Sequence, residues 1–498
     1  MKKILAKIFA KYIGWKNKKW ISNPIETQEK VFQKLLKRGQ STEFGKDHNF
    51  KLIENYNDFK ERVPISDYEK IKPYIEKILN GQKDVLWPGK PLYLAKTSGT
   101  TSGVKYIPIT KESLPNHIIS ARDAILNYIN KTGKVDFVDG KQIFIQGSPV
   151  LEKSNGIYIG RLSGIVAHHV PSYLLKNRMP TWNTNSIEDW EEKVESIVEE
   201  TLTENMTVIG GIPSWVQMYF EKTIFKTGKS ISKIFPNFSL FIHGGVNYDP
   251  YKTMFKKLIG KKVDSIELYP SSEGFFAYQD SQDNDGLLLL LNSGIFYEFI
   301  EAESFHESKP ERMRLEEIKI GINYVIILSS NAGLWSYNIG DTVRFVSTKP
   351  YRLVVTGRIK HFISAFGEHV IVKEVETAIK KVVSSTNIEI REFTVAPQIN
   401  PDSGLPFHEW FIDFKNPPKD LDIFSIKLDD EMKNQNIYYE DLINGKVLRP
   451  LVVSVVKENG FEAYMKKIGK LGGQNKVPRL SNDRKIADNL TIKHEKNK

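Results

Sequence analysis

The chain has 498 residues, 40% of them hydrophobic, a formal net charge of +11 and no cysteine. That length predicts roughly two to four units. The missing thiols exclude disulfides, zinc–thiolate centres and a cysteine nucleophile, and no apolar run reaches the ~18–20 residues that span a bilayer.

The chain opens MKKILAKIFAKYIGWKNKKW. Lys7 and Lys11 interrupt the apolar stretch and no small-residue cleavage site follows, which argues against a signal peptide. Ile4, Ile8 and Tyr12 recur at helical spacing and predict a basic amphipathic helix. Its expected role is packing on the protein's own surface, with peripheral membrane contact as the alternative. A cytoplasmic protein without stable membrane insertion is the expectation. Much of the positive excess lies in this helix and in the stretch KHEKNK. A basic balance suits a nucleic-acid binder or an enzyme for anionic substrates. No recognisable nucleic-acid module accompanies it, so most of the charge reads as a solvated lysine surface and no nucleic-acid partner is expected.

From about Lys90 onward, short apolar runs bounded by glycine or proline alternate with amphipathic stretches. QIFIQG at Gln142, MTVIGG at Met206, LFIHGG at Leu240 and SIELYP at Ser265 read as strands. SIEDWEEKVESIVEETL reads as a helix capped by Ser186. The alternation predicts an α/β fold with substantial parallel sheet. GLLLLLNSGIFYEFIEAE predicts two strands around a turn at Asn292–Gly294, and further strands follow through YRLVVTGRIKHFI. A boundary near Arg358–His361 gives a large N-terminal domain over 1–359, β-rich over about 286–359, and a small α+β domain over 360–498.

Lys96–Thr110 reads KTSGTTSGVKYIPIT. Gly99 and Gly103 allow tight turns and close backbone approach to an anion. Thr97, Ser98, Thr100, Thr101 and Ser102 offer hydroxyl donors, and Lys105 adds a mobile positive charge. Together they suit a polyphosphate. The setting is strand–loop–strand and lacks the GK[ST] ending of a Walker loop, which disfavours a P-loop enzyme. Further on, SIELYPSSEGFF ends a strand at Tyr269 and continues at once into Ser271, Ser272 and Glu273. The ring suits a base, the hydroxyls a phosphate and the carboxylate Mg2+; the bland alternative is a capped helix start. SYNIGDTVRF puts Asp341 after Gly340 in a turn, where a carboxylate suits two ribose hydroxyls. FIHGGVNYD ends a strand in Gly244 and Gly245, where a flat base would lie on bare backbone.

In this order, TSGTTSGVKYIP, YPSSE and YNIGD resemble the signature segments of the Gretchen Hagen acyl-acid amido synthetases, in their bacterial branch, within the adenylate-forming superfamily. GGQNKVPR at Gly472–Arg479 resembles that family's C-terminal lysine segment. The resemblance runs from about Pro64 to Arg479. It implies a large N-terminal domain and a small mobile C-terminal one, with ATP and Mg2+ as cofactors. It also implies two steps: a small-molecule carboxylic acid and ATP give an acyl adenylate, and an amine, usually an amino acid, then takes the acyl group and releases AMP. Thr97, Ser98, Thr100, Thr101 and Lys105 are then expected around the phosphates, and Gly244, Gly245, Val246 and Tyr269 around adenine. Ser271 and Ser272 are expected at the nucleotide, with Ser272 at the α-phosphate. Glu273 is expected at Mg2+, Asp341 and Arg358 at the ribose, and Lys476 at the α-phosphate and carboxylate. Catalysis is assigned to Lys476, Glu273 and Lys105. Two departures stand out: Thr97 replaces the usual serine, and Asn338 stands where the family often has arginine.

By family position the acid would meet Ile165, Val170, Ile212, Trp215 and Met218. His168 and His169 read as structural or exposed. His408 and Glu409, in FHEWFIDF, are candidates near the amine. The rival readings are a ligase ending in a coenzyme A thioester and a non-enzymatic nucleotide or nucleic-acid binder.

Overall fold

The apolar runs form twenty strands among the described residues. The computed structural model describes residues 2–492 except 101, 102, 247, 249, 250, 306, 360, 361, 364, 369, 387, 469–476 and 491; for 98–100, 103, 173, 190, 362 and 373 only the backbone is described. The chain divides into two compact units, Met1–Glu188 with Glu192–Ile359, and Asp189–Glu191 with Lys360–Lys498.

In the first unit the strands are β1 (Tyr93–Thr100), β2 (Gly103–Ile109), β3 (Lys141–Ile145), β4 (Glu152–Ser154), β5 (Ile157–Gly160), β6 (Arg178–Met179), β7 (Met206–Gly211), β8 (Leu240–Gly244), β9 (Asp264–Ser271), β10 (Gly274–Tyr278), β11 (Leu287–Leu289), β12 (Ile295–Glu301), β13 (Asn323–Ser330), β14 (Tyr337–Thr348) and β15 (Tyr351–Arg358). Eleven of them form one sheet in the order β12-β13-β14-β15-β11-β10-β9-β8-β7-β3-β6. From β6 to β9 the neighbours run parallel; from β9 to β12 they are antiparallel. The parallel strands are continuously apolar because both faces are covered: β7 is buried from Met206 to Gly210. This is the expected α/β architecture with mixed sheets. A second sheet, β2-β1-β5-β4, carries the threonine–serine hairpin.

Aromatic rings fill the core of this unit. Phe32, from the helix Pro24–Gly39, meets Phe296 at 4.7 Å and Phe59 at 5.2 Å between ring centroids. Trp335 is fully buried, stands edge-on to Phe50 and donates its indole N–H to the Leu86 carbonyl at 3.1 Å. The second unit contains β16 (Phe362–Ile363) paired with β17 (Val370–Ile371), and a sheet of β18 (Glu389–Gln398), β19 (Phe407–Asn416) and β20 (Val452–Val455). The helices Val372–Thr386 and Leu421–Gln435 accompany them.

The two strands around the turn at Asn292–Gly294 are as expected, with β11 joined to β10 and β15 and β12 joined to β13. Two local expectations are corrected. Ser186 does not start a helix: its hydroxyl donates to the Trp182 carbonyl at 2.8 Å and closes the short helix Trp182–Asn185, and the next helix begins at Trp190. Asp341 lies within a strand, β14, rather than in a turn.

Candidate active site at the carboxyl ends of the parallel strands

Parallel pairing fixes which strand ends are neighbours. Gly211 of β7 faces His243 of β8, and Gly244 faces Leu268 of β9. The segments leaving these ends carry Ile212, then Gly244–Val246, then Ser271–Glu273, so one edge of the sheet gathers all three. This is where open α/β sheets bind ligands. Gly244 has no room for a side chain, since a Cβ would overlap the Leu268 carbonyl. Gly245 has φ +85°, a left-handed conformation that favours glycine. Val246 is half-buried beside it.

β9 turns directly into β10, with Ser271 opposite Gly274. Ser272 and Glu273 therefore form a two-residue hairpin loop, and Glu273 caps no helix. Its carboxylate is 9% exposed and accepts a hydrogen bond from the Ser271 hydroxyl.

A bulge brings Asp341 to the same edge. Val325 pairs with Thr342 but Ile327 pairs with Asn338, so β14 carries extra residues against β13. Gly340 takes φ +88° in the bulge, and its N–H donates to Asn338 Oδ1 at 2.8 Å. Asn338 thus supports the bulge. Asp341 faces Arg358 across β14 and β15. Arg358 Nε donates to Asp341 Oδ1 at 2.5 Å, and the Tyr269 hydroxyl donates to Oδ2 at 2.5 Å. Burial, reinforced by Asp341, pushes the Tyr269 phenol well above its ordinary range, so it stays a neutral donor. Burial opposes the charge on Arg358, but the Asp341 carboxylate, with Glu273 behind it, outweighs burial and raises its pKa.

Two buried tyrosines lie nearby: Tyr68 touches the threonine–serine hairpin, and Tyr337 forms a backbone bridge with Ser66. Thr97 is half-buried and faces Lys105 across β1 and β2. Lys105 Nζ lies 5.8 Å from the ring centre of Tyr68. The Tyr68 hydroxyl accepts the Tyr106 N–H at 3.0 Å, and burial lifts its pKa to about 12. Tyr337 is fully buried, and its hydroxyl has no hydrogen-bond partner among the described residues. Burial, then the fields of Glu273 and Tyr68, hold its phenol well above the ordinary range. Tyr68 and Tyr337 were not singled out in the sequence. Tyr337 directly precedes the NIGD stretch, but its burial is a product of tertiary packing.

Ser98 and Thr100 are described by backbone only, in β1, and Thr101 and Lys476 lie outside the described residues. Of the expected acid pocket, Ile212 would come within 3.6 Å of a side chain built at Gly245. Val170 and Trp215 are half-buried, Met218 is buried, and Ile165 is fully buried in the core, where it presents no surface to a ligand. His168 Nε2 bonds the Pro149 carbonyl at 2.8 Å, and His169 pairs with the Tyr93 hydroxyl at 2.8 Å. In the second unit, His408 Nε2 meets Glu368 Oε1 at 2.7 Å, both buried, and Glu409 is held by Arg484 at 2.8 Å and by Ser454. Among the described residues no group of three or more His, Asp or Glu side chains is placed to hold a metal. Glu273 shares this edge with the Asp341 carboxylate, which Tyr269 and Arg358 already hold.

Comparison with known proteins covers most of the chain. The GH3 family N-terminal domain matches residues 16–181 and 136–263, the GH3 family central domain 288–358, and the GH3 family C-terminal domain 373–485. Indole-3-acetic acid-amido synthetase GH3.3 of Arabidopsis thaliana is 22% identical over 533 aligned residues, covering 91% of this chain and 88% of the plant protein. Among solved structures, GH3.15 acyl acid amido synthetase superposes with a TM-score of 0.58 at 18% identity, covering 95% of this chain and 94% of that one. A 2-hydroxyisobutyryl-CoA ligase superposes with a TM-score of 0.60 at 12% identity, covering 93% and 91%. Both structures share the fold.

Proposed function

The chain belongs to the GH3 family, and on that premise we propose that it is an ATP-dependent acyl-acid amido synthetase. The observation that supports this most is the hydrogen-bonded set Tyr269–Asp341–Arg358, which joins the carboxyl end of β9 to the antiparallel strands β14 and β15, with Glu273 in the β9–β10 loop. Residues far apart in sequence, each suited to one part of a nucleotide, meet at one edge.

In this reading Asp341 and Arg358 take the ribose, and Gly244, Gly245, Val246 and Tyr269 border the adenine. Thr97, Ser98, Thr100, Thr101 and Lys105 hold the phosphates, and Ser272 takes the α-phosphate. The buried Glu273 carboxylate fits Mg2+, which is usually held by one or two protein carboxylates and completed by substrate phosphates; bound at Glu273, the ion would neutralise phosphate charge. The Ser271 hydroxyl orients that carboxylate. The acid's carboxylate attacks the α-phosphorus of ATP, and pyrophosphate departs with the electrons of the broken P–O bond. Lys105 and Lys476 offset the repulsion between two anions and the charge that spreads as the bond forms. The amine of an amino acid then attacks the acyl carbonyl, loses a proton and displaces AMP. The activated carbonyl needs no protein nucleophile, in keeping with a chain that has no cysteine. Val170, Ile212, Trp215 and Met218 supply the apolar wall for the acid. The reading places the enzyme in the cytoplasm, with its ATP; no helix among the described residues is long and apolar enough to cross a membrane.

The test is a matrix of carboxylic acids and amino acids assayed for ATP-dependent pyrophosphate release, with and without coenzyme A, and with product mass measured. An amide formed without coenzyme A is expected. A thioester as the sole product, or no pyrophosphate release with any acid, would overturn the proposal.

A further inference from the structure

The helix Lys2–Ser22 packs on the first unit through one face and leaves the opposite face uncovered. Ala10, Ile13, Asn17 and Trp20 are buried, and Lys3 anchors the helix to Asp136 at 2.7 Å and Asp139 at 3.3 Å. Ile4, Ile8 and Tyr12, the stripe that signalled the helix in the sequence, are not the packing face. With Leu5 and Trp15 they stand exposed: Trp15 at 70%, Ile4 at 65%, Leu5 and Ile8 at 59% and Tyr12 at 52%. At 3.6 residues per turn these five fall on one arc about 100° wide, turned away from the buried residues. Lys7, Lys11 and Lys18 border the arc on one side and Lys16 on the other, and the helix has no acidic residue.

We propose that this face docks the protein onto an anionic lipid bilayer surface, independently of the catalytic reading. Scattered exposed apolar residues need no explanation, but five on one stripe form a patch. An apolar arc with aromatic side chains and flanking lysines is the pattern of a helix lying in the membrane interface: the aromatic rings sit at headgroup depth and the ammonium groups meet anionic lipid. Charge also separates the alternatives. A second copy of the chain would bring lysine-bordered faces together with no acidic residue between them. A nucleic-acid backbone would satisfy the lysines but leave the apolar centre unused.

The full chain is co-sedimented with vesicles of phosphatidylcholine alone and of phosphatidylcholine mixed seven to three with phosphatidylglycerol. Partitioning into the anionic vesicles is expected to be about tenfold stronger and to weaken with salt. The double variant Ile8→Ser/Trp15→Ser is expected to lower it about tenfold, and Lys11→Glu/Lys18→Glu to abolish it. All four side chains are exposed or on the border of the arc, so thermal unfolding and pyrophosphate release in solution should match the parent chain. Three outcomes would each overturn the proposal: equal or absent partitioning into both vesicles; binding that ignores the apolar variant, which would mean polycation adhesion to any anion, nucleic acid included; and a concentration-dependent dimer that Trp15→Ser dissolves, which would assign the face to self-association.

Discussion

The Tyr269 hydroxyl and the Asp341 carboxylate lie 72 positions apart in the chain and meet at 2.5 Å, with Arg358 on the other carboxylate oxygen at the same distance. Asp341 is thus held by two donors, and in the proposed reading this fixed carboxylate takes the ribose. Asp341→Asn removes the charge that holds Arg358 and the better acceptor for ribose hydroxyls. It is expected to lower kcat/KM for ATP about 100-fold, or ~2–3 kcal/mol. Tyr269→Phe keeps the ring and the carboxylate, so a loss of about fivefold, mainly in KM, is expected. Pyrophosphate release measured against ATP concentration checks both, and an unchanged KM in Asp341→Asn would remove Asp341 from the nucleotide site.

Glu273 occupies the hairpin loop where β9 turns into β10, held by Ser271. Glu273→Gln preserves shape and removes the charge. If this carboxylate holds Mg2+, the variant should need about tenfold more Mg2+ for half-maximal pyrophosphate release and lose about 100-fold in kcat. A magnesium titration identical to that of the parent chain would assign Glu273 a purely structural role.

Lys476 is expected to act on the charge that develops in adenylation rather than on ground-state ATP. Lys476→Ala should therefore abolish acid-dependent pyrophosphate exchange while leaving the ATP dissociation constant within about threefold. Exchange at a rate near that of the parent would contradict the assignment.

The strand ends were legible because each motif is local: a run of β-branched or aromatic residues stops at Gly244 or Tyr269, and the chemistry follows within a few positions. Their meeting was not legible, since it depends on the order β9-β8-β7 in the sheet and on a bulge at Gly340 that re-aims Asp341. The bulge also explains why a turn was expected at NIGD: glycine and asparagine read the same in both. Ser186 misled for a related reason, since a serine hydroxyl closes one helix as readily as it opens the next. Tyr68 and Tyr337 gave no signal, because a tyrosine without context does not show what it will be buried against. The first helix was recognised by the correct stripe, but periodicity alone could not tell which of its two apolar faces would meet the protein.

Glu374, at the start of the helix Val372–Thr386, gives a pH dependence with a definite sign. Burial lifts its carboxyl to about 7, although Oε2 accepts from the Ile371 N–H at 2.9 Å and from Asn436 Nδ2 at 3.0 Å. The folded chain therefore keeps a proton that the unfolded chain, with an ordinary carboxyl near 4.5, has already released. Raising the pH from that ordinary value to about 7 favours the unfolded state, and above about 7 the effect is constant. Glu374→Gln keeps an oxygen acceptor for both donors and removes the titration. At pH 8 it is expected to stabilise the second unit by ~1–3 kcal/mol relative to the parent, with the difference fading towards pH 5. Urea unfolding across this range, read by hydrogen exchange of residues 372–386, checks it. Curves for the two proteins that stay parallel from pH 5 to pH 8 would show that Glu374 is ionised in the fold.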